Sequence, residues 1–141
     1  MKPLGSLIAS AALALSMLVA VPSTATAAPP YPGTVATSCS YGAPGSVRKN
    51  RNLIVAYRVR ASGNARPSGL VTFRVWKVTK RGNLVFNRVV SNGYTGPRIR
   101  VRSLGKFKKA GRYVTQMSFR ANRGSVYKPC ATGFRGFRVR R

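Results

Sequence analysis

The 141-residue chain has no aspartate, no glutamate and no histidine, against 26 lysines and arginines, for a formal net charge of +26. Each absence removes a kind of chemistry. Without carboxylates there is no acid–base pair of the glycosidase kind and no oxygen cage for Mg²⁺ or Ca²⁺. Without imidazole the commonest general base and zinc ligand are gone. Two cysteines fall short of the four ligands that a tetrahedral zinc site takes. Serine, lysine and tyrosine are left as nucleophile or base, which makes an enzyme the weakest reading; no cofactor and no metal are expected.

The chain opens with Met1 and Lys2, runs uncharged from Leu4 to Val21, and then passes Pro22 to reach Ala25-Thr26-Ala27. Charged start, apolar stretch and A-x-A site are the order of a secretory signal peptide. We expect residues 1–27 to be the signal, cut after Ala27, and residues 28–141 to be one domain. A retained membrane anchor is the alternative, since 18 apolar residues are just long enough to span. Residues 22–47 carry no lysine or arginine, so either way the C-terminal part is expected outside. Losing Lys2 from 26 cations leaves +25, and such a charge without acids disfavours self-association; a monomer is expected. In an exported chain, Cys39 and Cys130 read as a disulfide, and no C-x-x-C spacing suggests a redox pair.

Period-2 alternation dominates the rest, which marks an all-β fold. Val55, Tyr57 and Val59 share one face, opposite Arg58 and Arg60. Val71, Phe73 and Val75 repeat the scheme, as do Tyr113, Thr115, Met117 and Phe119, then Phe137 and Val139. In Arg98-Ile99-Arg100-Val101-Arg102 the same logic puts the two aliphatics inside and the three arginines outside. Turn signals stand at Pro67-Ser68-Gly69, Arg81-Gly82-Asn83, Asn92-Gly93, Ala110-Gly111 and Asn122-Arg123-Gly124. With a weak strand near Val35 to Ser40 and another at Leu84 to Val89, about seven strands at this spacing predict a single antiparallel β-sandwich.

The stretch from Ala65 to Val75 resembles the Pro-x-Gly-x-Val-x-Phe strand of bacterial Ig-like domains. Leu104 through Gly111-Arg112-Tyr113 to Phe119 resembles their Gly-x-Tyr strand, and Gly124 through Pro129 to Val139 their closing strand. The resemblance spans roughly residues 35–140. It implies an Ig-like sandwich of adhesion, spacer or binding character, non-catalytic and found on secreted or envelope proteins. Its usual members are tandem and less basic than this chain. Independently of it, Gly111 followed by Tyr113 predicts a tyrosine corner, with the phenol bonding back to the preceding loop.

In such a sandwich the second and fifth strands are antiparallel neighbours. That places Arg58 and Arg60 beside Arg98, Arg100 and Arg102 on one outer face, an anion-binding field. Guanidinium forks match phosphate and carboxylate geometry. Lys106, Lys108 and Lys109 add charge around Phe107, read as exposed. On the opposite sheet Arg74, Arg138 and Arg140 point outward with Trp76, which alternation leaves either open for stacking on a sugar or base or buried under a covering loop. The expected partner is an anionic polymer: wall-polymer phosphate, acidic polysaccharide or nucleic-acid backbone, bound without sequence reading. The alternatives are a structural or adhesion module with incidental charge and a cationic antimicrobial or membrane-surface protein. Exported material should begin at Ala28 on N-terminal sequencing; a retained Met1 would establish the anchor instead.

Overall fold

Strands follow the alternating runs. The computed structural model describes residues 35–63, 65–96 and 98–141, and the expected signal segment lies outside them. The elements are β1 (Thr37–Gly42), β2 (Ser46–Arg48), β3 (Asn52–Ala61), β4 (Ser68–Val78), β5 (Leu84–Thr95), β6 (Arg100–Lys106), β7 (Gly111–Ala121), β8 (Cys130–Ala131) and β9 (Arg135–Arg140). A three-stranded sheet, β1-β3-β6, faces a six-stranded one, β2-β9-β7-β4-β5 with β8 also on β7. All pairings between these strands are antiparallel except β2 with β9, and an isolated parallel bridge joins Val35 to Tyr127. No helix among the described residues is long and apolar enough to cross a membrane.

The seven expected strands are all present. β2 and β8 were not anticipated, because three and two residues are too few to show a period. Two turn signals also resolve differently. Asn92-Gly93 lies inside β5, since Asn92 turns inward and its Nδ2 donates to the Tyr57 hydroxyl at 3.0 Å. The chain reverses instead around Gly96, where φ is 82°. In Pro67-Ser68-Gly69 the strand has already begun at Ser68. Gly69 is needed there because a Cβ would collide with the Arg120 carbonyl and the Phe119 ring of β7.

The core forms where the two inner faces meet. Val55, Tyr57 and Val59 of β3 are buried against Val71, Phe73 and Val75 of β4 and Met117 and Phe119 of β7. Tyrosine hydroxyls stitch the sheets together across this layer. Tyr41 of β1 donates to the Thr115 carbonyl of β7 at 2.7 Å. The Tyr94 hydroxyl of β5 accepts the Val59 amide at 3.0 Å and lies 3.1 and 3.0 Å from the carbonyls of Val59 and Arg98. These bonds satisfy groups that would otherwise be buried unpaired, each costing about 1–3 kcal/mol. Burial raises the Tyr41 pKa above the ordinary tyrosine value, with Thr115 and Arg135 opposing the shift. Tyr113 bonds back to the Lys109 carbonyl at 2.8 Å, the corner that Gly111-x-Tyr113 predicts.

Cys39 of β1 and Cys130 of β8 are disulfide-bonded, with Cα atoms 5.8 Å apart and a sequence separation of 91. The bond therefore joins the two sheets. Converting both cysteines to alanine should lower unfolding free energy by about 2–5 kcal/mol in urea melts. An unchanged midpoint would show that the packed core and the tyrosine bonds hold the sheets together without it.

Candidate anion-binding edge and aromatic ridge

β3 and β6 are antiparallel neighbours, as expected, but their register does not gather five arginines on one face. Arg102 lies opposite Val55, Arg100 opposite Tyr57, and Val101 opposite Ala56. Residues directly opposite share a face. Arg100 and Arg102 are thus on the core side of the sheet, while Arg58 and Arg60 are on its outer side. Ile99 and Val101, expected inside, are 64% and 66% exposed. The reason is Leu104, the one fully buried residue of β6. It fixes the parity of a short edge strand whose first half projects past the core, so inward-facing arginines still meet solvent.

This projection builds a basic edge where β6 stands across from β5. Arg100 Nη2 donates to the Thr95 carbonyl at the end of β5, at 3.4 Å. Arg88 of β5 does more. Its Nη1 donates to the Leu104 carbonyl at 3.1 Å, its Nη2 to the Lys106 carbonyl at 2.8 Å, and its Nε to Asn87 Oδ1 at 2.9 Å. The guanidinium also lies over the Phe107 ring, 4.5 Å from its centroid. Gly105, at φ 88°, leaves room for it, since a Cβ there would strike Nη1.

Phe107 corrects a second expectation: it is buried, 1% exposed, and packs edge-to-face on Tyr113 and Phe137 at 5.1 and 5.2 Å. Arg88 and the neighbouring rings make a better site for it than water does. Anchoring Phe107 sets Lys106, Lys108 and Lys109 around a groove of about 390 Å³, completed by Lys77, Arg88 and Phe86. Burial raises the Tyr113 pKa at the same groove, and the charge of Arg88 counters it. Lys77 and Arg88 were not singled out in the sequence. The signal was the β5 segment itself, but only pairing reveals it: opposite Val75 and Trp76 stand Arg88 and Phe86, so Asn87 is an extra residue. That bulge turns Arg88 inward and leaves Phe86 outward.

The outer face of the larger sheet carries the other half of the feature. Arg74, Arg138 and Arg140 are exposed there, as expected, with Arg112 directly opposite Arg138. Trp76 points outward and is half-buried. Its ring stands between Phe86, at 6.5 Å and 77°, and Phe134, at 5.3 Å and 80°. Those two flanking rings are 58% and 56% exposed. Phe86 belongs both to this ridge and to the lysine groove. Of the eight basic candidates, Arg98, Arg100, Arg102, Lys106, Lys108 and Lys109 therefore follow the β6 segment, while Arg58 and Arg60 stand apart on the smaller sheet's outer face.

No family model matches this chain, and no curated protein matches it. Solved structures give distant likenesses. A superoxide reductase (neelaredoxin) from Ignicoccus hospitalis aligns with a TM-score of 0.46 and 18% identity, over 73% of this chain and 80% of that one. An alkylpurine DNA glycosylase from Pseudomonas fluorescens, bound to DNA with an abasic-site analogue, aligns at 0.45 and 12%, over 76% and 29%. A β-glucosidase from Listeria innocua aligns at 0.44 and 8%, over 74% and 16%. At these scores the likenesses bear on neither activity nor ligand.

Because all three nitrogens of Arg88 are spent on the protein's own oxygens, its first duty is structural. Arg88→Met should destabilise the fold by about 1–3 kcal/mol in chemical denaturation, the cost of leaving such groups unpaired. A neutral substitution would mean that the open edge needs no clamp.

Proposed function

We propose that this chain is a secreted, non-catalytic Ig-like module that holds anionic polymers, among them wall-polymer phosphate, acidic polysaccharide and nucleic-acid backbone, through its basic surface. Two features support the Ig-like assignment. The strand order β1-β3-β6 against β9-β7-β4-β5 parallels the A-B-E and G-F-C-C′ sheets of Ig sandwiches, and the Tyr113 bond has the form of their tyrosine corner. The cross-sheet disulfide suits an oxidising compartment.

The observation that carries the binding reading is the groove at the β5–β6 edge. Lys77, Lys106, Lys108 and Lys109 surround it, and the chain has no acidic side chain to neutralise them. Solvated faces ordinarily mix both signs, which limits self-repulsion. Concentrated cations release counterions when phosphates or sulfates replace them, so affinity should fall steeply with salt. A structural or adhesion role is the second reading, supported by Ile54, Ile99 and Val101, all exposed on the outer side of the smaller sheet.

Salt-gradient elution decides between them. The oxidised protein should leave heparin, teichoic-acid or DNA columns at clearly higher salt than a sulfonate exchanger. Replacing Lys106, Lys108 and Lys109 with glutamine should erase most of that difference, whereas Arg58→Gln with Arg60→Gln should not. Co-elution from all four matrices would leave charge acting generically and favour the adhesion reading.

A further inference from the structure

Resting on that reading, we infer that the ridge of Phe86, Trp76 and Phe134 takes the bases of a single-stranded nucleic acid whose phosphates lie along the lysine groove. Three observations point this way. First, the rings form a row across the larger sheet, Trp76 held edge-on between two phenyl rings that are more than half exposed. A sheet presenting aromatic side chains beside a basic channel is the general solution for binding single strands, since every base has a face to stack.

Second, groove and ridge are continuous. Phe86 lines the lysine groove on one side and contacts Trp76 on the other, an arrangement produced by the single bulge at Asn87. A ligand that lays charge in the groove meets a ring at its rim. Third, the apolar surface is interleaved with charge. Arg74 stands on the same strand and face as Trp76, and Arg112 lies two residues from Val114, the β7 residue opposite Trp76. A lipid bilayer rewards a contiguous apolar patch; a chain alternating phosphates and flat rings rewards interleaving. A second copy of this protein is a poor occupant, since it would bring another set of cations and no acid.

Trp76 is the chain's single tryptophan, so its fluorescence reports on the ridge alone. The purified, oxidised protein is titrated with an oligo-dT strand, an abasic strand of equal phosphate number, heparin, inorganic polyphosphate and phosphatidylglycerol vesicles. Oligo-dT should quench Trp76 and bind more tightly than the abasic strand, by about tenfold for each ring engaged. Phe134→Ala should reduce that advantage and leave abasic binding unchanged. Trp76→Ala, followed by anisotropy of a labelled strand, should do the same. Replacing Lys106, Lys108 and Lys109 with glutamine should weaken both strands equally. Far-ultraviolet circular dichroism establishes that each variant is folded, and Phe134, which lies outside the strands and packs on Trp76, provides the variant that leaves every strand residue in place.

Equal binding of dT and abasic strands without quenching would overturn the inference while leaving polyanion binding intact. Stronger quenching by heparin or by vesicles would overturn it in favour of a glycan or a membrane surface. No salt-sensitive binding to any probe would overturn the polyanion reading itself.

Discussion

Carbonyl oxygens do in this protein the work that carboxylates do in most others. With no acidic side chain anywhere in the sequence, a guanidinium that must settle near the core has only neutral oxygens to bond. Arg88 uses three of them, and two belong to β6, across the open edge from its own strand. Because the same guanidinium covers Phe107, this clamp sets Lys106 at the end of β6 and the loop that carries Lys108 and Lys109. The basic groove is thus a consequence of how the sandwich closes its edge.

The rest of the packing follows a similar economy. Tyrosine hydroxyls bond across the core to backbone groups of the facing sheet, and a disulfide joins the sheets near the ends of the described chain. Neutral hydrogen bonds and a covalent link are insensitive to like-charge repulsion, which matters where opposite strand positions hold Arg112 against Arg138 and Arg48 against Arg140. Such pairs weaken a sheet unless something external neutralises them. An anionic polymer laid on the surface would therefore both fill a site and relieve a strain on the fold.

One inserted residue joins stability to the candidate site. The bulge at Asn87 sends Arg88 inward to the clamp and leaves Phe86 outward beside Trp76. In a regular strand those two side chains would share a face, and either the clamp or the ridge would be lost. Asn87 also accepts the Nε bond of Arg88, so the residue that breaks the register helps to hold its result.

The sequence by itself determined the seven longer strands, the inner faces of β3, β4, β7 and β9, the Tyr113 corner and the pairing of its two cysteines. Long alternating runs and a lone cysteine pair leave few arrangements open. Tertiary structure alone decided which side of β6 carries Arg100 and Arg102, that Phe107 is buried, and that Lys77 and Arg88 join the groove. Alternation fixes which residues share a face but not which face is inward. In a short edge strand that choice rests on one contact, the burial of Leu104, and in β5 on a bulge that no local period announces.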